Sequence, residues 1–117
     1  MPEVKIKQLQ YETEGWKRQL AFMSEENINF KNSISEILRD KFNKGLLVQL
    51  EEFQTRFIRT DQLITLLRND IADMDKLLIR EVFEDGKILK EIEEKFQKFQ
   101  LHLNTAQKNF RVLKSDF

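Results

Sequence analysis

The chain has 117 residues, 34% of them charged and 40% apolar, with three Gly, one Pro and no Cys. That is one domain's worth of polymer, long enough to bury about two thirds of its unfolded surface without disulfides or a structural metal. Its 20 Lys and Arg cancel its 20 Asp and Glu, which removes the positive field that most nucleic-acid binders direct at phosphate, so no nucleic acid is expected as a partner. The absence of cysteine excludes a disulfide framework, a thiolate metal site and a cysteine nucleophile, and it fits a cytoplasmic location.

Apolar residues recur in alternating steps of three and four, the spacing that lays one stripe along a helix. In the first segment the stripe runs through Ile6, Leu9, Thr13, Trp16, Leu20, Met23, Asn27, Phe30, Ile34 and Ile37, predicting a helix over about 3–42. The phase then slips beside Asn43-Lys44-Gly45, which predicts a turn in which Gly45 takes the left-handed conformation that ends many helices. A second stripe through Leu46, Leu50, Phe53, Phe57, Thr60, Ile64, Leu67, Ile71, Met74 and Leu78 predicts a helix over about 46–83. A third, through Leu89, Ile92, Phe96, Phe99, Leu103, Ala106, Phe110, Leu113 and Phe117, predicts one over about 87–116. No window sustains the period of two that a strand requires.

Two readings fit the second joint. A continuous coiled coil absorbs the extra step from Leu78 through Val82 and Asp85 to Leu89 as a stutter, merging the last two helices into one rod that must pair with a second chain. The carboxylate-glycine sequence Glu84-Asp85-Gly86 instead favours a turn. With the turn, the fold is an all-α, elongated antiparallel three-helix bundle with coiled-coil-like heptad packing, a single helical domain spanning 1–117. Leu38, Leu47, Leu63, Leu77 and Ile88 beside the stripes widen each face beyond a two-stranded seam, as a bundle needs. The arrangement resembles the spectrin-type three-helix repeat in helix number and length and in carrying a Trp inside the first helix.

Trp16-Lys17-Arg18-Gln19-Leu20, followed by Glu25-Glu26-Asn27-Ile28-Asn29-Phe30-Lys31-Asn32-Ser33-Ile34-Ser35-Glu36-Ile37-Leu38, resembles the first helix of small uncharacterised heptad-rich helical proteins of bacteria. The resemblance implies a bacterial cytoplasmic setting and carries no activity.

No catalytic pattern emerges. His102 is the single histidine and is preceded three residues earlier by Phe99, so the Glu-x-x-His pair of di-metal bundles is missing, and it reads as a structural residue at a boundary position between core and surface. Asp70, Asp73 and Asp75 lie on a helix and do not converge as a calcium loop does, and Glu91, Glu93 and Glu94 sit where acidic charge complements a helix N-terminus. Gly-rich phosphate loops, nucleophile elbows and zincin motifs are absent. The expectation is a non-enzymatic protein with no cofactor and no metal.

What remains is surface and register. Asn27 falls at a stripe position, where a polar group can select one geometry; a facing Asn from another chain, or a neighbouring helix or water within the monomer, would satisfy it. Thr13 and Thr60 can bond back to their own helix. Val4 and Tyr11 share one outer line, while Phe22, Ile28, Ile58, Leu66, Leu101 and Val112 also lie off the stripes. Val4, Tyr11, Phe22 and Ile28 form the candidate contact surface, for another protein or a second copy in a homodimer through helix one. The C-terminal half-helix is locally basic, with Lys95, Lys98, Lys108, Arg111 and Lys114, which suggests docking on an acidic surface as the runner-up. A membrane is an improbable partner, since Leu46-Leu47-Val48 is far short of the roughly 20 apolar residues of a span. The chain thus reads as a protein-protein interaction or assembly module; the alternative is a hydrophobic small molecule held in the Phe-rich core.

Overall fold

Each stripe must be covered by another, and short connections force the helices to fold back on one another to do so. The computed structural model describes residues 2–40, 43–84 and 88–117, which form α1 (Pro2–Asp40), α2 (Lys44–Glu84) and α3 (Leu89–Asp116). They make an all-α bundle measuring 62 × 18 × 17 Å. The long dimension equals the ~61 Å of the 41-residue α2 at 1.5 Å per residue. A rod unbroken from 44 to 116 would reach about 110 Å, so α2 and α3 are separate helices lying side by side. Within the joint between them, Asp85 and Gly86 lie outside the described residues, as does the predicted end of the first helix at 41–42.

The first joint departs from expectation. Gly45 is not a left-handed terminator of α1; it belongs to the first turn of α2. Asn43 makes the break instead. Its Oδ1 accepts the backbone N–H groups of Gly45 at 2.8 Å and Leu46 at 3.4 Å, and its carbonyl accepts that of Leu47 at 2.8 Å. This is an N-cap, which satisfies amides that have no carbonyl of their own in the first turn. The cap does not depend on the glycine, because a Cβ at Gly45 would lie 3.4 Å from the capping oxygen, at contact distance.

The α2 helix is the shared neighbour. It runs antiparallel to both others and packs closely on α1 along its length, whereas the backbones of α1 and α3, which run parallel, stay farther apart. Two apolar clusters fill the interior. In one, Trp16 of α1 lies against Phe96 and Phe99 of α3, with ring centroids 5.1 and 4.6 Å away, in a cluster that includes Ile71 and Leu78 of α2. In the other, Phe57 is wholly buried, stacks on Phe30 at 5.2 Å and meets Phe117 edge-on at 5.5 Å. Thr13 and Thr60, polar residues on the stripes, donate their hydroxyls to the carbonyls of Gln10 at 2.9 Å and Arg56 at 3.0 Å. Among the described residues no helix is long and apolar enough to cross a membrane.

Phe57→Ala is expected to cost about 3–5 kcal/mol, the usual cost of emptying a buried aromatic site. Phe22→Ala, with the side chain 65% exposed, should cost less than about 0.5 kcal/mol. Thermal melts of the two variants at low protein concentration test the contrast.

Candidate interaction surface

The inner stripe of α1 is covered by α2 and α3, and four apolar residues elsewhere on this helix stand largely in solvent among the described residues. Val4 is 67% exposed, Tyr11 74%, Phe22 65% and Ile28 47%. Val4 and Tyr11 are one heptad apart on the line opposite the core, with Phe22 and Ile28 to either side of that line. Charged residues separate them, so they form a row of isolated apolar points rather than one oily patch. Ile58, Leu66, Leu101 and Val112 are exposed as well, as are Val48 and Ile79 of α2, which the sequence reading did not single out. Their signal was available, since both fall between stripe positions of α2.

Asn27 is fully buried and faces α2 of its own chain. Its Nδ2 donates to the Phe57 carbonyl at 2.9 Å and to the carboxylate of Asp61, whose other oxygen is bound by the Lys31 ammonium. Asn27 Oδ1 accepts no hydrogen bond among the described residues. The group therefore ties α1 to α2 at one level. Asp61 and Lys31 were not foreseen, because their meeting depends on the register between two helices. Lys17 and Asp75 meet at 2.7 Å in the same register, 14 residues away on each helix (17 to 31, 61 to 75).

Glu81 is the other surprise. It continues the three-four stripe past Leu78 and is buried at the α2–α3 joint, where Oε2 accepts the Ile88 N–H at 3.0 Å. A carboxylate at a core position was legible in the spacing, but its role required the start of α3 beside it.

Beside the aromatic contacts of Trp16 with Phe96 and Phe99, α1 and α3 meet through polar side chains at their edge. Gln107 donates to Gln19 at 2.9 Å and Lys114 to Glu26 at 3.0 Å, both pairs 88 residues apart in sequence. The groove between α2 and α3 holds Asp70, Asp73, Lys95, Lys98 and an exposed His102 around Met74 and Phe99. Its charges balance, and no group of three potential metal ligands occurs among the described residues. No protein-family model, curated protein or solved structure matches the chain.

Asp61→Ala removes an acceptor from a buried amide and the partner of Lys31, and is expected to cost about 1–3 kcal/mol in chemical denaturation. Thr65→Ala, an exposed site one turn away, serves as the control. The hydrogen bond to Asp75, and a second to Glu14, hold the Lys17 ammonium above its ordinary value of 10.5. The folded state thus binds this proton more tightly than the unfolded chain. The contribution is complete below pH 10.5 and fades as pH rises through the higher folded value. Lys17 is 43% exposed, which limits the effect to less than about 1 kcal/mol. Lys17→Met should flatten the alkaline limb of a stability-pH curve and leave the region between pH 5 and 9 nearly parallel to the parent curve.

Proposed function

We propose that this chain is a non-enzymatic, cytoplasmic protein-protein interaction or assembly module that self-associates through α1. The observation that carries the reading is that Val4, Tyr11 and Phe22 point outward from a helix whose core-facing side is already covered. Covering each large apolar side chain with a partner would gain roughly 1.5–3 kcal/mol, and these residues lie along one helix, within reach of a single partner helix.

The Phe-rich core gives less support to a ligand carrier. Phe30, Phe53, Phe57 and Phe117 pack against one another, and the clefts at the surface are open grooves between neighbouring helices. The basic half of α3 is partly engaged at home, with Lys114 on Glu26 and above the Phe110 ring at 5.0 Å.

Sedimentation velocity over a concentration series tests the proposal. Mass is expected to rise from 14.1 kDa toward twice that value, and Tyr11→Ser with Phe22→Ser should hold the protein at the lower mass. A strict monomer at high micromolar concentration overturns self-association.

A further inference from the structure

We propose that the partner at this surface is a second copy of the chain, docked antiparallel along α1 in one register, with a two-fold axis passing level with residue 16. The inference rests on the self-association reading above and specifies its geometry. Opposite its core stripe, α1 carries a second three-four seam, running from Val4 through Lys7 and Tyr11 to Glu25 and Ile28, about 36 Å long. All of these residues are exposed.

In an antiparallel pair, each seam residue faces one of the opposite phase on the other helix. With the axis at residue 16, Val4 meets Ile28 of the second copy and Lys7 meets its Glu25. Nearer the axis, Tyr11 meets Ala21 and Glu14 meets Arg18. Every layer then joins apolar to apolar or acid to base, and symmetry repeats each one. Shifting the axis toward the N-terminus by half a heptad sets Lys7 against Arg18; shifting it the other way sets Glu14 against Glu25. A parallel pair places Lys7, Glu14, Arg18 and Glu25 each against its own copy, four like-charge layers.

Gly15 supports the same register. Glycine inside a helix is unfavourable relative to alanine, and among the described residues a Cβ there would find only the Arg18 side chain at 3.8 Å, an ordinary contact. By the flank geometry that sets Lys17 opposite Asp75 in the α1–α2 pair, the proposed register sets Gly15 opposite Phe22 of the second copy. The exposed ring then covers a position with no side chain of its own. On the other flank Lys17 approaches its own copy across the axis, where Asp75 at 2.7 Å and Glu14 at 3.0 Å already neutralise it.

Charge reversal tests the register. Each of K7E and E25K turns two symmetric attractive layers repulsive and should raise the dimer Kd by about tenfold or more, while the double variant K7E/E25K restores it to within about threefold. Because the chain has no cysteine, oxidising a mixture of K7C and E25C chains gives an independent readout. The mixed 7–25 disulfide dimer is expected to dominate over 7–7 and 25–25 dimers. A dimer that ignores the single reversals, is not rescued by the double one, or cross-links 7 to 7 overturns the register and leaves self-association standing. A chain that stays monomeric at every concentration overturns both.

Discussion

The amide of Asn27 can lie in the core only where α2 offers it acceptors, and α2 offers the Phe57 carbonyl and the Asp61 carboxylate at a single level. That requirement sets how α1 and α2 slide past each other. Apolar stripes alone do not, because a stripe of period seven packs almost as well after a slip of one heptad. The charges beside the seam close off those slips. Lys17 and Lys31 now meet Asp75 and Asp61, with Arg68 midway between the two carboxylates. A slip of seven residues in either direction would bring one of the two lysines onto Arg68. Burying a polar group costs stability, and here the return is a unique alignment.

Alignment of α3 follows a different rule. It lies parallel to α1, and its polar contacts to that helix keep a constant offset of 88 residues. The same offset places Lys5 level with Glu93 and Glu12 level with Gln100, so the ladder reads base-acid at one end and acid-base at the other, with an acid-amide and an amide-amide rung between. Reversing α3 would set Glu against Glu. Packing, direction and register are thus carried by separate features: the apolar stripes decide that the helices pack, the short connections set their direction, Asn27 and its neighbours decide where α1 sits, and the edge charges suit α3 to its place beside α1.

Much of this was legible without coordinates. The three-four spacing located all three helices, because amphipathic period is a local property that the sequence states directly. The breaks were harder. Gly45 looked like the terminator, yet Asn43 breaks the chain, since a side-chain acceptor can cap the following helix whatever the glycine does. Val4, Tyr11, Phe22 and Ile28 could be named as off-stripe residues, whereas Asp61, Lys31 and Glu81 could not be assigned roles. Their meaning lies in pairings across helices, and no property of one segment reports what faces it from another.

The packing of the three helices is uneven, and this has a bearing on how the molecule comes apart. α1 and α2 are close along their lengths and adjacent in sequence, while α3 touches α1 chiefly through long side chains. The α1–α2 hairpin is the more closely packed pair, and on that ground it is expected to open last. Detachment of α3 is the lower-energy excursion. Amide protons of α3 should then exchange with solvent ahead of those beside Asn27, and the first surface laid bare would be the aromatic bed of Trp16 rather than the polar clasp of the hairpin.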